Sequence, residues 1–247
     1  MREAICWIGY NRPEYAQVSL ESIFNSLERP DDFYAFVDND GTDRSKNVVD
    51  ILESYGVKNI TFREYNYEFT PHILGAMQDF FNEGYDVCHY IEDDIIISKD
   101  FFIRSRVALS KPEISMFCGC VVIEEQMNKI YPYFSTWGTS IKRSVFDAIS
   151  PHVDSFLRAW KNGTTMEYQR EHFGHASVKG FDGLIDRIVV ANNLLAEYPE
   201  RSYSKDIGEY GIHREEGIPP LRTLEEWAEI IPKGEFGFGI NGLNFKL

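Results

Sequence analysis

The run Asp86-Val-Cys-His-Tyr-Ile-Glu-Asp-Asp-Ile-Ile-Ile97 decides the fold. Its first half, Asp86–Ile91, reads as a buried strand, and that strand ends directly in Glu92-Asp93-Asp94. Three carboxylates between apolar residues are costly unless something compensates them. Side chains alternate along a strand, which puts Glu92 and Asp94 on one face and Asp93 on the other. A divalent cation that also holds a diphosphate is an economical counter-charge, because hard carboxylate oxygens suit Mg²⁺ or Mn²⁺ and the ion bridges to phosphate oxygens. The plain alternative is a solvated acidic loop with no task.

Upstream of this run, strands at 3–9, 33–37 and 59–65 alternate with helices at about 15–27, 45–55 and from Thr70 to Gly84. Thr70 reads as the N-cap of the third helix and Pro71 as its first residue. Strands separated by short helices predict a mostly parallel sheet, and such sheets bind ligands at the carboxyl ends of their strands. Three polar clusters, at 10–14, 38–44 and 92–94, fall at those ends. Downstream the pattern is less regular. It predicts a strand over 114–122, a segment with Gly and Trp at 134–140, and helices at about 143–149, 151–161 and 183–196. The tail Lys233–Gly242 holds four glycines in ten residues and reads as a flap.

Composition narrows the function classes. The 247 residues are 43% hydrophobic and 26% charged, which excludes a disordered or collagen-like chain. A net charge of -14 argues against broad electrostatic binding to nucleic acid or anionic lipid. No stretch approaches the roughly 20 apolar residues of a membrane span, and the N-terminus lacks a signal-peptide core, so a cytoplasmic protein is expected. Cys6, Cys88, Cys118 and Cys120 are then expected as reduced, buried thiols, with Cys118-Gly-Cys120 in a strand and not a metal pair.

Four stretches together resemble the nucleotide-sugar-dependent glycosyltransferases of the GT-A fold. The likeness is to the family 2 enzymes and to the N-acetylglucosaminyltransferase that starts complex N-glycan branching. Ile8-Gly-Tyr-Asn-Arg-Pro-Glu-Tyr15, with Ser19–Ile23, resembles the strand, loop and helix that receive the nucleotide. Val37-Asp-Asn-Asp-Gly-Thr-Asp43 resembles the second strand end. Tyr90–Phe102 resembles the family's DXD region in a Glu-Asp-Asp form, and Thr136-Trp-Gly-Thr139 the donor-side glycine segment. The match is good over about residues 4–146 and thinner beyond.

The resemblance implies an α/β fold with a mostly parallel central sheet flanked by helices and a less regular acceptor-side half. It implies one catalytic domain over 1–247, with a donor-binding half at about 1–107 and an acceptor half with a C-terminal flap at about 108–247. Asp94 is the implied direct ligand of Mn²⁺ or Mg²⁺, with His213 as a second candidate beside Arg214. Glu92 and Asp93 are implied to hold the donor sugar and ribose, Asp38 or alternatively Asp40 the base, and Tyr10, Asn11 and Arg12 the nucleotide pocket. Trp137 and Gly138 are the implied wall of the acceptor or donor site. The implied catalytic base, for an inverting reaction, is Asp182, with Asp186 one turn on as the alternate. Asp182 equally reads as a helix N-cap, and Gly183 stands where a second acidic residue is commoner.

The expected partners are a nucleotide-diphosphate sugar and an acceptor that is a glycan, a protein or a modified nucleobase. Two other readings stay open: a nucleotide-sugar or glycan-binding module without turnover, and a sugar nucleotidyltransferase. The latter is disfavoured because Gly9-Tyr-Asn-Arg-Pro13 lacks a Gly-rich loop with Arg and Lys.

Overall fold

Residues 4–9 are buried without a break, as in a strand covered on both faces. In a computed structural model describing residues 1–121 and 124–208 they form β1 (Glu3–Gly9), the strand around which the sheet is built. The chain continues through α1 (Pro13–Phe24), β2 (Phe33–Val37), α2 (Asp43–Ser54), β3 (Asn59–Phe62), α3 (Phe69–Asn82) and β4 (Val87–Glu92). β1 pairs in parallel with β2 on one edge and β4 on the other, and β3 extends the sheet beyond β2.

Then follow β5 (Ile95–Ile97), α4 (Phe101–Leu109), β6 (Ile114–Cys118), β7 (Ile130–Tyr131), β8 (Thr139–Lys142), α5 (Arg143–Lys161), α6 (Thr165–Phe173), α7 (Phe181–Ala191), β9 (Leu195–Glu197) and β10 (Ser204–Asp206). The main sheet has the order β3-β2-β1-β4-β8-β6-β9-β7, with β8 antiparallel to both neighbours. β5 stands apart and pairs antiparallel with β10, setting Asp206 opposite Ile95. Alternation along β1 sends Ala4, Cys6 and Ile8 into a core with α3, α5 and α7, and Ile5 and Trp7 into a second core with α1, α2 and α4. The result is a three-layer α/β arrangement with a mostly parallel sheet, as expected.

Several boundaries move. α1 starts at Pro13, whose missing N–H costs nothing in a first turn. α3 starts at Phe69 after Glu68 in a left-handed conformation (φ 67°), so Thr70 lies inside its first turn and is not its N-cap. The helices expected at 143–149 and 151–161 are one helix, α5, running through Pro151. Proline at 151 cannot donate to the Asp147 carbonyl, and the Ser150 hydroxyl reaches that carbonyl instead, at 3.5 Å. α7 stops at Ala191, and 195–197 form a strand. All four cysteines are buried and unbridged. Among the described residues no helix is long and apolar enough to cross a membrane.

Candidate donor and metal site

The loops that leave β1, β2 and β4 meet at the carboxyl edge of the sheet. The Tyr10 N–H donates to Asp93 Oδ2 at 3.0 Å, and Asn11 Nδ2 to Asp40 Oδ2 at 2.9 Å. Arg12 Nη1 donates to Asp94 Oδ2 at 2.7 Å, while its Nη2 pairs with Asp93. Arg44 fixes the first loop from outside, donating to both carboxylate oxygens of Glu14 (3.0 and 2.6 Å) and to the Asn11 carbonyl (2.9 Å). Asn66 reaches the Tyr10 hydroxyl at 2.9 Å.

Asp93 and Asp94 therefore share one guanidinium, whereas the alternation rule grouped Glu92 with Asp94. The strand ends at Glu92 and the chain turns at 93–94, so the strand period no longer applies there. Glu92 instead accepts from the Tyr90 hydroxyl at 2.6 Å. Burial pushes the Glu92 carboxyl well above its ordinary value, and Asp94 pushes it the same way. Asp93, 2% exposed, is raised by burial against the opposing pull of Arg12. Desolvation works against the Arg12 charge, but Asp93 and Asp94 outweigh it and hold Arg12 firmly protonated. At the second loop, burial raises Asp38, whose Oδ1 accepts the N–H groups of Asn39 (3.0 Å) and Tyr67 (2.9 Å). Asp40 is more open, and hydrogen bonds from Asn11 and Thr42 overcome its partial burial to hold it at about 2.

Sequence reading missed a further carboxylate. Residues 204–206 form β10 and belong to the framework. The Ile207 N–H donates to the Asp94 carbonyl at 2.9 Å, and the Gly208 N–H to Asp206 Oδ1 at 2.7 Å. A Cβ on Gly208 would collide with Asp94 Oδ2 and stand 3.0 Å from Asp206 Oδ1. Glycine thus keeps open a small space lined by two carboxylate oxygens. The only trace of this in the sequence is the short Asp206-Ile-Gly208. Those hard oxygens suit Mg²⁺ or Mn²⁺. Among the described residues no group of three or more His, Cys, Asp or Glu side chains is placed to hold a metal ion. His213, Arg214 and the glycine-rich 233–242 lie outside the described residues.

Asp182 is the second residue of α7. Burial raises its carboxyl, and the nearby backbone N–H groups of Asp182 itself and Gly183 pull it the other way. A side chain at Gly183 would overlap the Val178 carbonyl, which accounts for the glycine following Asp182. Asp186 is 7% exposed and ion-paired with Arg187, and its Oδ1 has no hydrogen-bond partner among the described residues. Burial raises the Tyr133 hydroxyl and both aspartates raise it further, so that ring is within electrostatic reach of both. α7 packs on β4 through Phe181, whose ring centroid is 6.3 Å from that of Tyr90, the residue bonded to Glu92. Trp137 is half-buried against the core beside β5, with its carbonyl accepting from the Ser204 hydroxyl at 2.6 Å. Gly138 (φ 73°) lies so close to Ser204 that a Cβ would come within 2.6 Å of the serine Cβ.

No protein-family model matches the chain, and no curated protein matches it in sequence. Solved structures do match. One is the mannosyltransferase PcManGT from Pyrobaculum calidifontis in complex with GDP-Man and Mn²⁺, at TM-score 0.54 and 13% identity over 80% of this chain and 54% of that one. Another is S. aureus TarS 1–349, at TM-score 0.54 and 11% identity over 85% and 61%. The same TarS fragment in complex with UDP-GlcNAc gives 0.53 and 12% over 88% and 60%. The chain has the GT-A fold. It spans 54–61% of the length of these three GT-A structures.

Proposed function

We propose that this GT-A chain is a metal-dependent, inverting glycosyltransferase that moves a sugar from a nucleotide-diphosphate donor to an acceptor hydroxyl. The observation that carries the reading is the convergence of the β1, β2 and β4 loops on Asp93 and Asp94 through Arg12. Support comes from the neighbours of the same fold, solved with GDP-Man and Mn²⁺ or with UDP-GlcNAc.

In this reading Asp94 and Asp206 hold Mn²⁺ or Mg²⁺, which supplies positive charge to the departing diphosphate. Glu92 and Asp93 hold the sugar and ribose, Asp38 or Asp40 the base, and Tyr10, Asn11 and Arg12 the rest of the nucleotide. Asp182, with Asp186 as alternate, takes the proton of the attacking hydroxyl; the raised affinity for protons that burial gives Asp182 favours that transfer. Trp137 and Gly138 close one side, and residues 1–107 and 108–247 divide as donor and acceptor halves. His213 is a further candidate ligand, and the acceptor is a glycan, a protein or a modified nucleobase.

The test is a panel of UDP-GlcNAc, UDP-glucose, UDP-galactose and GDP-mannose, assayed for released nucleotide diphosphate with Mn²⁺ and with EDTA. Release from one donor, lost in EDTA, is expected. Binding of a donor without release points to a binding module, and no binding to any donor overturns the reading.

A further inference from the structure

We propose that Thr70 is a positioning residue for the Asp182 carboxylate, an inference that rests on reading Asp182 as the base. Thr70-Pro71 has the composition of a helix start, yet α3 begins before it and Thr70 does not cap that helix. Its hydroxyl is turned to a different helix. Thr70 is fully buried, and its Oγ1 accepts the N–H of Phe181 at 3.2 Å. Phe181 is the first residue of α7, where the N–H has no partner within the helix. A side chain from α3 thus does the work of a cap for α7, whose own N-cap residue, Gly180, has no side chain to do it.

The first turn of α7 is packed through Phe181 but weakly bonded along its backbone. Its first backbone bond, Leu184 N–H to the Gly180 carbonyl, is long at 3.4 Å. A Cβ at Gly180 would lie 2.6 Å from Asp182 Oδ1 and 3.5 Å from Thr70 Oγ1, so the hydroxyl and the carboxylate flank the same small space. The Asp182 carboxylate is seated over this same turn, beside Gly180, and any slackening of the turn redirects it. Phe69, the neighbour of Thr70, stacks edge-on against Phe181 with centroids 5.4 Å apart. Three residues before Thr70, the Tyr67 N–H binds Asp38. Residues 67–70 therefore link the proposed nucleobase-binding Asp38 to the turn that carries the proposed catalytic Asp182.

Thr70→Val keeps the shape and removes the acceptor, while Thr70→Ser keeps the hydroxyl. Both are compared with wild type in Mn²⁺-dependent hydrolysis of whichever panel donor the wild type turns over, reading kcat and donor KM separately. Thr70→Val is expected to lower kcat by about 10–100-fold with donor KM unchanged, and Thr70→Ser to recover most of it. Thr70→Ala carries the same expectation should the valine variant fail to fold. Full kcat in Thr70→Val, a parallel loss of donor binding, or equal damage from Val and Ser overturns the inference. Asp182→Asn separates the two levels. If it stays active, the assignment of the base is wrong; if it is inactive while Thr70→Val is fully active, only the role of Thr70 is wrong.

Discussion

Arg12 is the counter-charge of a buried acidic loop before any cation or diphosphate arrives. Removing it leaves Asp93, buried, close to Asp94 and Glu92, which are half-buried, without a counter-charge, and an uncompensated buried charge costs up to about 3–5 kcal/mol. Arg12→Gln is therefore expected to lower stability in urea by an amount of that order without metal, and Mn²⁺ is expected to restore part of it. Equal stability with and without Mn²⁺ would count against a cation at this loop. Asp94→Ala acts in the opposite sense, since it relieves like-charge repulsion. It should abolish turnover and weaken donor binding with melting within a few degrees of wild type, as a thermal scan beside a donor titration will read. Gly208→Ala intrudes on the space between Asp94 and Asp206, and is expected to weaken Mn²⁺ binding in a direct titration of the donor-free protein. The clusters at 10–14, 38–44 and 92–94 were legible because each is a local event, a strand running into polar residues. Asp206 was not, because it reaches the site by pairing with a strand more than a hundred positions earlier.

At the level of elements, the segment Lys179-Gly-Phe-Asp-Gly183 is shaped by what its glycines must avoid. Gly180 leaves room for the Asp182 carboxylate, and Gly183 packs on the backbone at Val178. Gly183→Ala forces α7 away from that backbone and is expected to destabilise by about 1–3 kcal/mol, seen as a lower melting temperature and a lost rate with the acidic loop still able to bind Mn²⁺. An unchanged melting temperature would mean the turn is looser than this packing implies. Element reading failed where a local cue had a distant use. Thr70 has the chemistry of an N-cap, but the N–H it serves belongs to Phe181. Pro151 is a breaker by propensity, yet the apolar face of α5 packs across it and keeps one helix. The helix expected over 45–55 ends where its local cue lies, since Gly56 takes φ 76° just after α2, a demand that the local backbone alone makes.

Across the whole molecule, the buried His72 and the half-buried Glu3 are two of the groups that make stability respond to acid. Burial and the nearby Arg63 lower His72 to about 4, and its Nε2 meets the Phe36 carbonyl at 3.3 Å. The folded protein resists taking a proton that the unfolded chain accepts near 6.5, so stability is full above that value and falls as pH drops towards about 4. Burial alone would raise Glu3, but His89 and Arg106 overcome it and hold the carboxyl at about 2, so its contribution is present above 4.5 and lost as pH falls towards 2. Melting measured from pH 8 to 3 should therefore decline in two stages, with His72→Gln flattening the upper one; a flat profile between 6.5 and 4 would contradict the assignment. The parallel half of the sheet was legible because strand and helix alternate there at regular spacing. In the half containing β6 to β9 only β6 was legible, from the apolar run at 114–122, because strands of two to four residues with antiparallel insertions leave almost no periodic trace. The pairing of β5 with β10 also sets an order of assembly. A ribosome delivers Ile95-Ile96-Ile97 long before Ser204–Asp206, so during synthesis three consecutive isoleucines wait with an open edge, a template for joining another chain. A nascent chain halted near residue 200 should therefore be the aggregation-prone stage in the life of this protein, and release from that hazard coincides with the arrival of Asp206 at the acidic loop.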